Sequence, residues 1–351
     1  MADNAEDDDW FFDSVTRYKQ LYMYNLQYPV TALDWINTNC VCVATRGRPT
    51  HHELSELSLP EKLCTSEDLA LSKNRDFQVL SGGFSSSEIC DIKHIPGTRL
   101  ICSSSKKGEG HVDVLKLGSL HTDLIEVDRK LKNKKPKGSW SLIAVQDQNH
   151  VIFGSHGDNL CCGDVMTTDV LQDTCECSMT DKISSMRNVH PHTVCCCLTD
   201  GKILNWDKRE NTPNVFDTGC DHSVQWTMDL LGNDMIQLSS RGHVQWIDMR
   251  KPNQAIYLNN TGLSTNDAQF LRIHLKRQNG SPDQYSISGF DGNVYLYSRQ
   301  SQTPLFVHEG HARNSSGDPS EVKVVTHLHH PMECVILSAA TDGSIHAWRQ
   351  T

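Results

Sequence analysis

The feature that most restricts how this chain can fold is a glycine turn that returns at nearly even intervals. Gly110, Gly157, Gly201, Gly242, Gly292 and Gly343 each close a short polar turn, and subtraction spaces them 47, 44, 41, 50 and 51 residues apart. The clearest copy runs from Val335 to Trp348, where apolar and β-branched residues alternate at period two on both sides of Asp342-Gly343. That is the pattern of two half-buried strands joined by a tight turn.

A helical solenoid would repeat its apolar residues every 3.6 positions, whereas units of four short strands at ~40–50 residues are the signature of a β-propeller. The third strands of the units also agree. Trp206, Tyr297 and Trp348 stand five residues after their glycines and Trp246 stands four after, while Trp206-Asp207 makes a literal Trp-Asp pair. A seventh unit precedes the marked six. Its strands are expected over Val30 to Ile36, Val41 to Ala44, His52 to Leu59 and Arg75 to Leu80, with Pro60 to Asn74 as a long connection and Gly82-Gly83 as the turn that follows.

The last unit runs out at Thr351 after three strands, and the chain begins with one strand too many, Leu21 to Leu26. The ring closes if that N-terminal strand serves as the fourth strand of the last blade, which removes two open sheet edges together. The expected fold is therefore an all-β, seven-bladed propeller over 21–351, with 21–26 as the closing strand. Residues 1–20 form an acidic segment with a short amphipathic helix, expected from Asp9 to Lys19 on the spacing of Trp10, Phe11, Val15 and Tyr18.

Composition narrows the function. A net charge of −10 and a pI near 5.9 oppose a nucleic-acid binder that relies on a broadly basic surface. The N-terminus lacks the basic and apolar regions of a signal peptide, and no apolar run approaches the ~20 residues that span a bilayer. The expectation is a soluble intracellular chain. Its fourteen cysteines are then reduced, and Cys40/Cys42, Cys161-Cys162 and Cys195-Cys196-Cys197 read as small apolar residues inside strands. Cys-x-x-Cys pairs are absent. The histidine groups His51-His52, His190/His192 and His327/His329/His330 lack a carboxylate or thiolate at matching spacing, so we assign them to strand ends and turns and expect no metal and no cofactor.

In the last unit His311, Ser338, Asp342 and Trp348 could be taken for a Ser-His-Asp catalytic set. A serine on an interior strand has no route to substrate and no strained nucleophile turn, so the structural reading is preferred. Six basic residues and no acidic ones occupy 129–137 in an expected inter-strand loop, where Lys132, Lys134, Lys135 and Lys137 are candidate electrostatic contacts. The alternative function is RNA binding through that loop, although no aromatic residues are interleaved for base stacking. Trp10, Phe11 and Phe12 beside the acidic run are candidate partner anchors, the preferred alternative being that this helix folds back onto the propeller rim. Phosphate-binding glycine loops and nucleophile elbows are absent, and no enzymatic activity is expected.

The His311, Ser338, Asp342 and Trp348 set resembles the buried hydrogen-bond chain of the WD-repeat family, in which imidazole bridges hydroxyl and carboxylate. The segments Asp7 to Tyr18, Ala32 to Ile36, Arg75 to Ser85, Asp91 to Leu100, Ile287 to Val294 and Pro304 to His311 are similar, in order, to one branch of that family, over roughly 7–100 and 284–349. This resemblance implies a non-enzymatic, mainly cytoplasmic scaffold. It implies as partners the paired endonuclease subunits of the Integrator RNA-processing complex, bound as by an assembly factor before nuclear import. It further implies a link to microtubule and spindle organisation, with tubulin or microtubule-associated proteins as partners and a minor nuclear pool.

Overall fold

The computed structural model describes residues 16–64, 75–119, 121–138, 140–167, 170–276, 283–313, 321–332 and 334–351. Its strands form seven four-stranded antiparallel sheets, each a blade. The first strands of blades 1 to 7 are Val30–Trp35, Ile89–His94, Leu142–Val145, Ile183–His190, Trp226–Leu231, Arg272–Leu275 and Val324–His329. Each contacts the first strand of the next blade, and the last contacts the first, so the ring is complete.

Second strands are sandwiched between neighbouring blades and are accordingly buried almost throughout. Val41 to Ala44 and Cys195 to Leu198 are fully buried, and the thirteen cysteines whose side chains are described are outside any disulfide. Burial pushes the Cys102 and Cys197 thiols up to about 12, which keeps them neutral as core atoms. Trp206, Trp246, Tyr297 and Trp348 all lie buried in third strands, as their common spacing predicts.

Blade 7 contains three strands from the end of the chain and one from its beginning. Tyr18–Asn25 pairs antiparallel with Ser344–Gln350, with Leu21 opposite Trp348, and the Leu26 amide donates to the Gly343 carbonyl at 2.9 Å. The strand starts three residues before the expected Leu21. Tyr18 and Lys19 belong to it and not to a helix, because Tyr18 is buried and seats its hydroxyl on His308 at 2.8 Å. Thr16 and Arg17 are helical, as expected, and the part of the expected helix before them, including Trp10, Phe11 and Phe12, lies outside the described residues.

Gly82-Gly83 is not a turn. Both residues lie inside the fourth strand of blade 1, Gln78–Ser85, opposite Ser55 and Leu54. The reason is a second chain running alongside: the Gly82 amide donates to Asp123, and the Ile125 amide donates to Gly82, both at 2.8 Å. A Cβ on Gly83 would stand 2.3 Å from the Ile125 carbonyl oxygen, while one on Gly82 would meet nothing closer than 3.6 Å. Gly83→Ala is therefore expected to cost ~1–3 kcal/mol through forced backbone displacement, and Gly82→Ala much less. Urea unfolding midpoints of the two variants, at equal slope, check this ordering.

Polar side chains tie blade to blade. Asp34 accepts from the His94 amide at 2.8 Å, Asp91 from Ile143 at 2.9 Å, Ser185 from Met228 at 2.9 Å and Asp229 from Leu275 at 2.8 Å. Between blades 1 and 2 the buried Glu56 receives both Arg99 guanidinium nitrogens, at 2.6 and 2.7 Å, and the Ser81 hydroxyl at 2.7 Å. A bidentate pair of this kind satisfies a carboxylate that burial would otherwise penalise heavily.

Candidate functional site

The turn of blade 7 holds the densest set of chemistry-bearing side chains. Gly343 has φ +90°, a conformation open to glycine, and it lets Ile336–Ala340 hand over to Ser344–Gln350 with Asp342 at the corner. His311 comes from the one-turn helix Gly310–Arg313 that precedes the blade. Its ring is fully buried, with Nε2 2.8 Å from Ser338 Oγ and Nδ1 2.6 Å from Ser344 Oγ. Ser344 Oγ donates to Asp342 Oδ1 at 2.6 Å, and Trp348 Nε1 donates to Ser338 Oγ at 3.4 Å.

One directional assignment satisfies every group. The Trp348 indole donates to Ser338, the Ser338 hydroxyl to His311 Nε2, His311 Nδ1–H to Ser344, and the Ser344 hydroxyl to the carboxylate. The sequence places imidazole against carboxylate directly; the structure inserts Ser344 between them. That serine is two residues beyond Asp342 and so points to the same side of the hairpin, which is the signal that would have found it. Ser338 and His311 stand in nucleophile-and-base geometry, but both are fully enclosed and both hydroxyl functions are committed. The cluster is therefore a staple of the turn. Ser344→Ala should leave a buried imidazole N–H without an acceptor, a loss of ~1–3 kcal/mol, read as a lower thermal unfolding temperature with the fold otherwise unchanged by circular dichroism.

Two histidines that sequence reasoning missed extend this cluster. His308 Nδ1 meets the Tyr18 hydroxyl, and His308 Nε2 lies 3.0 Å from His346 Nδ1. The ligand atoms of His308, His311 and His346 fall within 4.8 Å of one another, as in a metal centre. The ring geometry does not fit one. His311 and His346 stack face to face at 3.8 Å and 5°, so their in-plane lone pairs run parallel and do not converge on a point, and both His311 nitrogens already face serines. Burial drives all three histidines well below the ordinary imidazole value, which keeps them neutral.

A second histidine group stitches blade 6 to blade 7. His327, inside the first strand of blade 7 and not at an end or turn, contacts Ser288 Oγ through Nδ1 and Ser286 Oγ through Nε2, both at 2.7 Å. His329 shares Ser286 at 2.7 Å. Two serines spaced for one strand face make this seam, and only the register of the two blades brings them to His327.

The basic stretch is partly strand. Arg129, Lys130 and Leu131 end the fourth strand of blade 2, Glu126–Leu131, because Leu131 is a fully buried core residue opposite Val112. Arg129 pairs with Asp128, Lys130 with Asp113 at 3.1 Å, and Lys137 with Asp158. Lys132, Lys134, Lys135 and Lys137 have exposed side chains, on a loop pinned by the buried Asn133 donating to Asn159 at 3.1 Å. The Trp-Asp pair is likewise structural. Trp206 donates to the Glu210 carbonyl at 2.9 Å, and Arg209 beside Asp207 holds that carboxyl down to about 2.

Chemistry-bearing side chains are thus consumed in the blades, and the accessible apolar residues sit outside. Val79, Leu80 and Phe84 of blade 1, Val127 of blade 2, and Ile256 and Leu258 of blade 5 are exposed on fourth strands, with Phe84 and Leu258 about 70 % accessible. Exposed apolar residues on an outer edge mark a surface suited to protein contact. Ring and blade order define a seven-bladed β-propeller.

Within that class the chain has homologues along almost its whole length. It is 28 % identical to the Integrator complex assembly factor WDR73 of Danio rerio, over 98 % of this chain and 96 % of that protein. Proteins of the same name from Xenopus laevis and Homo sapiens are also 28 % identical, covering 96 % and 97 % of this chain and the same shares of their own. No protein-family profile matches the chain. The similarity extends through the blades between 100 and 284, where the sequence resemblance rested on repeat spacing alone.

Proposed function

We propose that the protein is a non-catalytic scaffold that binds subunits of the Integrator complex and assists their assembly. The observation that carries this reading is the full-length similarity to proteins named Integrator complex assembly factor WDR73, joined to a fold whose reactive-looking side chains are spent on its own turns and seams. The finer reading assigns the paired endonuclease subunits as partners, held in the cytoplasm before import. Contact is expected through rim residues such as Phe84 and Leu258, with affinity concentrated in a few anchors. The microtubule and spindle association rests on the sequence resemblance alone.

Affinity purification of the intact chain from cytosol, followed by mass spectrometry, tests the proposal. Integrator endonuclease subunits should be recovered, and Phe84→Asp with Leu258→Asp should reduce the yield without lowering the unfolding temperature. Recovery of no Integrator subunit overturns it. RNA binding through 129–137 would instead show affinity that falls steeply with salt and vanishes when Lys132, Lys134, Lys135 and Lys137 are neutralised.

A further inference from the structure

One polar cluster is not drawn into the blades. Three loops meet beside blade 5: residues 223–225 ahead of its first strand, the 240–242 turn between Asp234–Ser239 and His243–Asp248, and residues 260–268 on the way to blade 6. Backbone bonds fix them to one another. The Ser240 amide donates to Gln225 and the Thr265 amide to Ser240, both at 2.8 Å, and the Thr261 amide donates to Gly242 at 3.0 Å. Gly242, at φ +76°, is packed so closely that a Cβ would stand 2.4 Å from the Leu263 carbonyl oxygen. The loops therefore hold a preorganised pocket of about 650 Å³, within the ~300–1,000 Å³ of ordinary ligand sites.

No acidic residue lines it, in a chain with 43 acidic side chains against 33 basic ones, so its chemistry suits an anion. Gln225, Ser240, Arg241, His243, Ser264 and Asn266 do line it, and none of their side chains hydrogen-bonds to a described residue. Asp221, outside the lining, comes within 3.6 Å of Arg241 Nη1, and its Oδ1 is taken by the Ser223 amide and hydroxyl at 2.9 and 2.6 Å. So loose a pair between exposed groups is worth little.

We propose that this pocket binds a phosphate monoester, clamped by Arg241 with His243 and the serine and amide side chains as further donors. A guanidinium fork matches phosphate bidentately. Three terminal oxygens also use a ring of donors more fully than the two of a carboxylate. The pocket has room for the group that carries the ester, whose two sources are a small phosphorylated metabolite and a phosphorylated side chain of a partner protein.

Isothermal titration of the intact chain at constant ionic strength tests this, with glycerol 3-phosphate and a short serine-phosphorylated peptide as probes and their unphosphorylated forms as blanks. One or both phosphorylated probes should bind while the blanks do not, and the tighter probe identifies the source. Arg241→Gln should weaken binding about tenfold, the size of one lost charge-assisted contact. Its unfolding temperature should not change, because the side chain is 62 % exposed. Asp221→Asn, which keeps an acceptor for Ser223, should tighten binding, and Arg250→Gln, an exposed position on the same blade outside the pocket, should leave it unchanged. His243→Gln should weaken it severalfold and keeps the test open if Arg241→Gln misfolds. Absence of binding by both probes at millimolar concentration overturns the proposal, as do blanks that bind equally well or equal weakening by Arg241→Gln and Arg250→Gln.

Discussion

A chain lacking residues 1–27 is expected to aggregate and not to fold as a smaller ring. The deletion removes Tyr18–Asn25, the fourth strand of blade 7, and leaves Ser344–Gln350 as a bare edge. It uncovers both faces of that blade. Tyr18 and Leu21 pack with Trp348, Ile336 and Leu296 on one side, and Tyr22, Tyr24 and Leu26 pack with Val335 and Leu337 on the other. Truncating one large buried aromatic side chain costs ~3–5 kcal/mol, and the buried Tyr18 is lost together with the half-buried Leu21, Tyr22, Tyr24 and Leu26, against a total domain stability of ~5–15 kcal/mol. Size-exclusion chromatography with light scattering should show oligomers or no soluble protein. A monomeric peak with a single cooperative melting transition would rule the closure out as a stability requirement. Tyr18→Phe provides the mild version. It keeps the packing, removes the hydroxyl from His308, and should cost ~1–2 kcal/mol.

The second large effect is acid sensitivity near neutrality. His274, His308, His311, His327 and His346 are held well below the ordinary imidazole value, chiefly by burial, and His329 is lowered to about 4. In the unfolded chain they titrate at ~6.5. Below that pH the unfolded state binds protons the native state refuses, so stability falls as pH drops and is fully present above ~7. Each histidine contributes up to ~1.4 kcal/mol per pH unit below 6.5, and six together approach the whole stability of a domain within a unit or two. Asp34, raised by burial, and His222, raised by the Asp200 carbonyl and Asp217, oppose the trend, but they are two groups against six. The urea midpoint should be flat from pH 8 to 7 and fall sharply between 6.5 and 5.5. A midpoint unchanged across that lower interval would contradict the neutral assignment.

The first effect and half of the second arise at the cluster of blade 7, which the sequence showed only in part. His311, Ser338, Asp342 and Trp348 were legible because each stands at a repeat-defined position in one blade. Ser344 was legible in principle, lying two residues along a strand from Asp342. His308, His346 and Tyr18 were not. Tyr18 and His308 are 290 residues apart in the chain, and no local periodicity relates them. The metal-like closeness of three histidines and the stacking that disqualifies it are both properties of packed rings.

The same division holds across the molecule. Local patterning, by itself, determined the number of blades, the strand order, the buried third-strand aromatics and the need for an N-terminal strand to close the ring, because alternation at period two and turn chemistry are written in neighbouring residues. The tertiary structure decided what depends on which blades touch. It turned Gly82-Gly83 from a turn into a strand crossed by Ile125, drew Arg129 to Leu131 into blade 2, paired His327 with two serines of blade 6, and gathered three loops into the pocket at Arg241. Close backbone approach and inter-blade hydrogen bonds join residues with no sequence relation, so their partners exist only once the ring has closed.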